Sequence, residues 1–447
     1  MHEPAGDGDP AHAPDPETQR VARPWWLPHF LGRIPIGLEE RHVALVGIVA
    51  LAAVFENYDM SMLTSALKQI RESFGLSQSD AASLFAWIRL GAIPAFLVLP
   101  LADRIGRRKV FLIAIIGMSV GTLLSAFAQT AVQFVAAQTI TRTFLVAATA
   151  GAVVIVAEEL PAKNRGWGIG ILGALGAMGF GLGAILFAFI DSLPYGWRFM
   201  YIVGGFPLLL LPRFRRLLPE TARFKQMQAE RAAGGESQGP QWIAPMLELL
   251  REYPGRSAAV AVMAFLFAAG SSPAFGLLSD FLQTTHDWQP SSYSLMALVA
   301  GTFGIIGNPA MGWAADRIGR KPVAMTAFGL FPVMALAIYF GPEAGIAFIW
   351  IPFTFVLTGA NVLMRIISTE LFPTSSRNTA MGWETLMETL GAAGGYALVG
   401  ALTVSGTSIA PAAVAVSALT MIGVFVIWWM PETAGRELES TSSAGNP

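Results

Sequence analysis

Residues 101–109 read LADRIGRRK, and six of these letters return unchanged as ADRIGR at 315–320. The second copy begins 213 residues after the first, at 315 instead of 102. Two further motifs repeat at almost the same distance. Glu-x-x-Pro-x-x-x-Arg begins at Glu158 and again at Glu370, and PETA begins at 219 and again at 431, both 212 residues apart. Because three motifs share one offset, the chain is predicted to contain two copies of one unit in the same orientation.

Charged residues are scarce and unevenly placed. They make up 13% of the 447 residues, and hydrophobic residues make up 54%, whereas a soluble protein carries about 25% charged residues. The charges separate apolar segments of about 20 residues, the length that crosses a hydrocarbon core of about 30 Å as a helix. The sequence therefore predicts an all-α membrane protein of 12 transmembrane helices in two six-helix bundles. The predicted segments cover 43–66, 80–101, 110–128, 132–157, 167–190, 197–214, 257–280, 293–314, 322–340, 344–366, 379–401 and 410–430.

The basic residues predict the orientation in the membrane. With the N-terminus in the cytoplasm, 23 of the 29 Lys and Arg residues fall in cytoplasmic tails and loops and three fall outside, so both termini are expected inside. The expected location is a bacterial-type plasma (inner) membrane, crossed many times. The predicted divisions are a disordered juxtamembrane tail at 1–40, a first bundle at 41–214, a cytoplasmic linker with a surface helix at 215–256, a second bundle at 257–430 and a tail at 431–447.

Composition also excludes several classes of function. The chain has no cysteine, which removes disulfides, Cys-ligated zinc and Cys nucleophiles together. Its five histidines lie near a chain end or in loops, and a net charge of −1 without a basic domain gives nucleic acid no binding surface. No nucleophile–base set or phosphate-binding loop occurs. Neither enzyme activity, nor a metal, nor a cofactor is expected, apart from a proton as coupling ion.

The loop LADRIGRRK resembles the signature loop of the major facilitator superfamily. STELFPTSSR at 368–377, with LPETAR and MPETAGRE after segments 6 and 12, resembles the branch of sugar porters, organic-ion transporters and metabolite:proton symporters. NYD at 57–59 is similar to the Gly-Tyr-Asp of several aromatic-acid and sugar carriers. The Gln pair usual in segment 7 of sugar porters and the Gly-Pro usual in segment 5 of drug antiporters are both missing. The resemblance covers about 40–436 and implies a secondary transporter with its substrate site between the halves.

The resemblance also implies a gate at the cytoplasmic mouth. In the family the repeated loop charges bind across this mouth and hold the outward-open state, and ion pairs at a wet interface break and re-form cheaply. The alternative is that these charges only set the topology. The predicted gate residues are Asp103, Arg107, Glu158 and Arg165 in the first half and Asp316, Arg320, Glu370 and Arg377 in the second.

Ionisable residues inside the predicted segments are the main candidates for the site. Each would cost roughly 3 kcal/mol at the bilayer centre if it faced lipid, so these residues are expected to face the interior and pair. Counted at about 1.5 Å per residue, the acids of segment 1 lie at the same depth as the arginines of segments 2 and 4. The seven residues are Glu56, Asp59, Arg89, Arg142, Arg365, Glu384 and Glu388.

The second half is less evenly balanced in charge. Arg365 is placed to pair with Glu384 on the neighbouring helix, whereas Glu388 has no partner in its own half. Glu388 is expected to stay neutral, to bind a cation or to meet Arg89 across the interface. A purely structural role is the alternative for Arg142 and for the Arg365–Glu384 pair. By adjacency, the candidates for the cavity wall are Asn57, Tyr58, Asn361 and Trp383.

These observations favour a proton-coupled symporter for a small organic metabolite. Protonation of Asp59 or Glu56 would free Arg89 or Arg142, which links proton and substrate binding. A freed arginine favours an anion and the excess of acids favours a cation or zwitterion, so the charge of the substrate stays open, with an organic ion preferred over a sugar. The alternatives are a proton antiporter that exports lipophilic cations and, in another class, a non-transporting membrane sensor. Expected partners are the substrate, protons and lipids, for a monomer that binds no nucleic acid.

Overall fold

The computed structural model describes residues 21–98, 101–218, 220–221, 224, 226, 228–229, 244–373 and 375–434, without the side chains of Leu97, Asp103 and Ile305. Parts of the predicted tails 1–40 and 431–447 and of the predicted linker 215–256 lie outside these residues. Within the described part, the chain folds into helices joined by short loops, with no strand.

Twelve successive spans form the two halves, six spans in each. In the first half they are span 1 (Glu40–Ser65), span 2 (Gln78–Leu90, Ala95–Val98 and Ala102–Ile105), span 3 (Arg107–Phe127), span 4 (Ala131–Glu159), span 5 (Arg165–Ala188) and span 6 (Trp197–Gly204 and Pro207–Leu217). In the second half they are span 7 (Pro254–Gly276 and Leu278–Thr285), span 8 (Pro290–Ile318), span 9 (Arg320–Phe340), span 10 (Glu343–Glu370), span 11 (Arg377–Val404) and span 12 (Ile409–Ser417 and Leu419–Trp429). The predicted two-bundle, all-α membrane fold is confirmed.

Nine of the described helices are long and apolar enough to cross a membrane by themselves. Spans 2 and 6 are interrupted, and span 11 is a continuous helix that carries two glutamates. Span 2 leaves the helical conformation over turn residues 91–94, which the sequence prediction of one continuous segment at 80–101 missed. Pro94 explains the break, because proline lacks a backbone N–H and disfavours helix in the residue before it.

Two shorter segments lie on the cytoplasmic side. Residues 21–39 pack against the first half, with Leu27 and Leu38 only 2% and 3% exposed, and the ring of Trp26 lies against Gly47 of span 1. A helix at Ala244–Glu252 precedes span 7, in the stretch where the sequence predicts a surface helix.

Close helix packing in each half depends on glycines at equivalent places. Span 5 packs on span 1, and span 11 packs on span 7. A methyl group at Gly179 would overlap the backbone carbonyl of Val54, and one at Gly391, which lies 212 residues later, would overlap the carbonyl of Phe265. These contacts agree with the role of small residues in membrane helix packing, where they allow backbones to approach closely. Between the halves, span 2 packs on span 11 and span 5 packs on span 8.

The repeated PETA motif caps two helices in matching ways. The carboxylate of Glu220 accepts a hydrogen bond from the backbone N–H of Arg108 (3.1 Å), and that of Glu432 accepts from Arg320 (2.8 Å) and Lys321 (3.1 Å). Carboxylates are favourable at helix N-termini, where N–H groups lack partners within the helix. Spans 3 and 9 are therefore tied to the ends of spans 6 and 12 by the same repeated acid.

Glycines make room for these caps. Gly106 and Gly319 precede the capped turns with φ of 106° and 115°, a conformation that disfavours side chains. A Cβ atom at either position would also collide with the capping carboxylate. The nearly equal spacing between the starts of the ADRIGR and PETA motifs, 117 residues in the first half and 116 in the second, thus has a structural reason.

Candidate functional site

The outer ends of the two halves are joined by a buried ion pair. The guanidinium Nε of Arg71, in the short helix Leu67–Ser73 after span 1, lies 2.7 Å from the carboxylate of Asp280 in the outer part of span 7. Asp280 is completely buried and also accepts a hydrogen bond from Gln78 (3.2 Å), while Arg71 donates to Thr284 (3.0 Å). The pair is thus buried and supported by hydrogen bonds on both sides.

Further hydrogen bonds between the halves surround this pair. Lys68 donates to the backbone carbonyl of Gln283 (3.0 Å), and the side chains of Gln69 and Gln283 bond each other (2.7 Å). Ser279 donates to the backbone carbonyl of Ser65 (2.7 Å). We call Arg71, Asp280 and these neighbours the outer latch. They hold spans 1 and 2 against span 7 and close the extracellular end.

At the cytoplasmic end, the predicted gate residues pair within each half. Arg107 lies 3.3 Å from Glu158, and Arg320 lies 3.0 Å from Glu370 and also pairs with Asp316. Thr433 of the second PETA motif donates to Glu370 (2.6 Å). Each of these ion pairs lies within one half, and the predicted binding across the mouth stays a prediction. Bonds between the halves at the outer end, with gate charges paired within their own halves, are the arrangement expected of an inward-facing conformation.

The two remaining gate arginines make fewer contacts. Arg165 donates from Nε to the backbone carbonyl of Leu160 (3.3 Å). Arg377 has two buried guanidinium nitrogens, Nε and Nη2, that lack a hydrogen-bond partner among the described residues. Asp103 cannot be placed relative to either, because its side chain lies outside the described part.

The seven ionisable residues predicted inside the membrane form one continuous electrostatic network. Asp59 interacts with Glu56 and Arg142, and Arg142 interacts in turn with Arg89. Glu388 of span 11 interacts with Arg89 of span 2, and so connects the halves.

The network continues within the second half. Arg365 interacts with both Glu384 and Glu388, and the two glutamates interact with each other. The structure therefore brings together all seven residues that the sequence singled out, and their chain of interactions crosses the domain interface.

Direct pairing of these residues was predicted wrongly for this state. None of the seven forms an ion pair within 4.0 Å of another described residue. Arg365 is exposed toward the inner end, whereas the carboxylate of Glu384 is buried, with one oxygen that has no hydrogen-bond partner in the described part of the chain. Intramembrane ionisable residues that face the bundle interior are tolerated without direct contact when charges of opposite sign lie nearby.

Asp59 has a neutral partner that sequence inspection missed. Gln138 of span 4, four residues before Arg142, places its amide nitrogen 3.5 Å from the Asp59 carboxylate and also donates to Ser125 (3.0 Å). Asp59 is 2% exposed and Gln138 is 1% exposed. A polar residue one helical turn from an intramembrane arginine lies on the same helix face as that arginine. The spacing of Gln138 and Arg142 could therefore have identified Gln138 as a member of the site.

A partly open cavity of about 480 Å³ lies between the halves, lined by residues of spans 1, 5, 7, 8 and 10. Its wall is part aromatic and part neutral polar, and no charged residue lines it within the described part of the chain. Span 10 contributes Trp350, Thr354, Thr358 and Asn361, which share one helix face because they are spaced by three to four residues.

The four predicted wall residues divide between two environments. Asn57 and Asn361 line this cavity, and their amide nitrogens donate to the backbone carbonyls of Ala53 and Leu357 (both 3.0 Å). Tyr58 is 4% exposed and donates to the backbone carbonyl of Met200 (2.9 Å) in the core of the first half. Trp383 donates to the backbone carbonyl of Ser257 (2.9 Å) on span 7. Tyr58 and Trp383 therefore connect spans and do not line this cavity.

Aromatic residues of the cavity were also missed by sequence inspection. Phe275 of span 7 stacks on Trp350, with ring centroids 5.6 Å apart and planes 15° from parallel. On the domain interface, Phe275 also contacts Phe180 of span 5 at 6.1 Å. Aromatic residues are common in any apolar span, so nothing in the sequence distinguished these three.

Duplicated six-span halves, a cavity between them and an intramembrane charge network together define a membrane transporter. A family model for the Major Facilitator Superfamily matches residues 49–254 and 260–446, and the chain belongs to this family. It is a multi-pass inner-membrane transporter and not an enzyme.

Relatives agree with this assignment. The chain is 28% identical over 378 residues to a gallate transporter of Pseudomonas putida, covering 79% of this chain and 83% of the relative. It is 25% identical over 370 residues to a cis,cis-muconate transport protein of Acinetobacter baylyi, covering 80% and 86%. A crystal structure of a D-xylose-proton symporter matches with a TM-score of 0.70 at 19% identity, covering 88% of this chain and 99% of that one, which supports the fold.

Proposed function

We propose that the protein is a proton-coupled symporter that carries a small organic acid by alternating access. The observation that carries this proposal is the charge network, which runs without interruption from Asp59 in the first half to Glu384 in the second. A network that spans the interface can link protonation, substrate binding and the relative position of the halves.

The charge of the substrate follows from the network and the relatives together. Three arginines, Arg89, Arg142 and Arg365, lie within the network, and each interacts with at least one carboxylate. A carboxylate that accepts a proton releases its arginine for another anion. Gallate and cis,cis-muconate, carried by the two relatives, are both organic acids. These observations favour an organic anion over the cation or zwitterion that the excess of acids allows.

Asp59 is the proposed proton-binding group of the first half. It is buried beside Arg142, and its only hydrogen-bond partner in the described part is the neutral Gln138. When Asp59 is charged, Arg142 is neutralised by it. When Asp59 is protonated, Arg142 is free to attract the substrate carboxylate, so proton and anion bind together and move together.

Alternating access assigns opposite roles to the two ends of the molecule. The outer latch stabilises the inward-facing state, because its bonds can exist only while spans 1, 2 and 7 are in contact. In the outward-facing state the latch opens and the cytoplasmic charges exchange their partners across the mouth. The predicted gate residues thus take part in both states with different partners.

Uptake of radiolabelled gallate into proteoliposomes tests this proposal. An inward proton gradient should drive accumulation above equilibrium in wild type. Asp59→Asn should abolish this accumulation and retain exchange of internal for external substrate, because exchange needs no net proton movement. Asp191→Asn, an exposed outer-surface substitution, is the matched control.

Three results would contradict the proposal. An Asp59→Asn variant that still accumulates substrate would remove Asp59 as the coupling group. Uptake stimulated by an outward proton gradient would indicate antiport. Absence of both uptake and exchange in folded wild type, for gallate and for cis,cis-muconate, would reject organic acids as substrates.

A further inference from the structure

The interface cavity has an apolar end and a polar end. At its apolar end Phe275 of span 7 faces Phe180 of span 5, and Trp350 supports Phe275 from behind. Phe353, stacked on Trp350 at 5.1 Å and 14° from parallel, extends this row of rings into the second half. Phe275 is thus held in a fixed orientation with one face on Trp350 and the other toward the domain interface.

The contact between Phe180 and Phe275 connects the two halves directly. Their centroids lie 6.1 Å apart and their planes are tilted by 50°. Both side chains are only partly buried and both line the cavity. A planar ring entering between the halves would therefore meet aromatic faces from both of them.

Trp350 forms the back of this wall. It is 1% exposed, and its indole N–H is buried in the protein, so Trp350 contributes its ring to the support of Phe275. Asn308, Thr354 and Thr358 add neutral polar atoms to the same wall.

The polar end of the cavity leads toward the charge network. Asn57 follows Glu56 directly, and Asn361 lies one helical turn before Arg365. Because the cavity itself lacks charged side chains in the described part, an acid bound there would place its apolar body at the aromatic end and its carboxylate toward Asn57 and Asn361.

From this geometry we infer that the cavity is a ring subsite selective for aromatic acids, with Phe275 and Phe180 as the contact faces and Trp350 supporting Phe275. This inference rests on the proposed transport of organic acids and names their class. The volume of about 480 Å³ suits a single substituted ring, since ligand sites commonly measure about 300–1,000 Å³.

Two acids that differ only in ring saturation provide the test. Benzoate and cyclohexanecarboxylate carry the same carboxylate on a six-membered ring, but only benzoate is planar and has a π-face. Equilibrium dialysis of radiolabelled benzoate with the purified full-length protein measures its Kd, and competition gives the Kd of the saturated acid. Aromatic pairing contributes about 0.5–1.5 kcal/mol, so benzoate should bind roughly 2- to 13-fold more tightly.

Variants of Phe275 locate this preference. Phe275→Leu should bring the ratio of the two Kd values close to one, and Phe275→Tyr should keep it. Phe348→Leu, at an exposed position on span 10, is the matched control and should leave the ratio unchanged. A ratio is informative because a general loss of folded protein lowers binding of both acids together.

The outcomes separate this inference from the proposed function. Equal binding of both acids by wild type would overturn the ring subsite while leaving organic-acid transport intact. A preference for benzoate that survives in Phe275→Leu would overturn the assignment to this cavity. No binding of either acid to folded protein would overturn both proposals.

Discussion

The outer latch makes a quantitative prediction about conformational equilibrium. In the inward-facing state Asp280 is fully buried, 2.7 Å from the Arg71 guanidinium. Replacing it by asparagine removes the charge and leaves Arg71 buried without its counter-ion. Loss of one partner from a buried ion pair costs about 3–5 kcal/mol. Thr284 still accepts from Arg71 and the asparagine side chain keeps the shape of Asp280, so we expect about 2–3 kcal/mol.

This cost falls on one state only. When the halves separate at the outer end, both groups face water, and removing the charge there changes little. Asp280→Asn should therefore shift the equilibrium toward the outward-facing state by a factor of roughly 30–150. The direction of the shift follows from the latch alone and does not depend on the identity of the substrate.

Distances between spin labels measure this shift. The chain contains no cysteine, so labels can be attached at introduced pairs without background. A pair at Ser192 and Asp287 reports on the outer end, and a pair at Lys163 and Ser375 reports on the inner end; all four positions are exposed. Asp280→Asn should lengthen the outer distance and shorten the inner one.

An outer-end control separates the latch from a general charge effect. Asp80→Asn removes a carboxylate at the outer end that caps span 2 through Ser77 and bonds to no described residue of the other half. It should leave both distance distributions as in wild type. If Asp280→Asn also leaves them unchanged in folded protein, the latch does not stabilise the inward-facing state and the reasoning is refuted.

Two further predictions concern stability. Burial alone would raise the pKa of Glu432, but hydrogen bonds from backbone N–H groups outweigh burial and hold this pKa below the ordinary 4.5. The charged carboxylate therefore adds its full stability above pH 4.5, and this stability is lost as the pH falls through the lowered pKa. Glu432→Gln should lower the Tm at neutral pH, and the difference in Tm from wild type should shrink in acid. The control is Glu248→Gln, at an exposed position. A difference that does not change with pH, or an equal loss of Tm in the control, would contradict this. Gly179→Ala should destabilise the folded state by about 1–3 kcal/mol, because the added methyl group overlaps the span 1 backbone. Gly170→Ala, at a position with open space, should not destabilise it. Equal unfolding midpoints for the two variants would show that the close approach of spans 1 and 5 is not needed.

The repeat explains why so much of the fold was predictable from the sequence. ADRIGR, the Glu-x-x-Pro-x-x-x-Arg motif and PETA recur at one offset, and this recurrence together with segment length determines span number and topology. The structure adds the reason for the recurrence, since Glu220 and Glu432 cap spans 3 and 9 beside Gly106 and Gly319. The break in span 2 escaped prediction because apolar content continues across it.

The charge network was predictable in membership but not in geometry. Burying an ionisable group in lipid is so costly that each such residue is visible in the sequence, and the seven are linked in one chain of electrostatic interactions. Whether two of them touch depends on how neighbouring spans pack and how the side chains turn, which depth along a helix does not report. Arg365 therefore lies exposed instead of paired with Glu384.

Contacts between the halves were least predictable. Arg71 and Asp280 lie near the ends of their segments, where charged residues are ordinary, and no periodicity marks them as partners. Phe180 and Phe275 belong to a residue type that occurs in many spans without function. Such residues acquire a role only through packing of one half against the other, which is a tertiary property.

Movement of protons with the substrate tests the central proposal most directly. A pH-sensitive dye inside proteoliposomes would follow the lumen while an inward gallate gradient is imposed without a pH gradient or membrane potential. Protein-free liposomes and the Asp59→Asn variant correct for gallate that crosses the lipid as the neutral acid. Symport predicts acidification of the lumen faster than in both controls. Alkalinisation, or gallate entry with no pH change beyond the controls, would contradict proton-coupled symport.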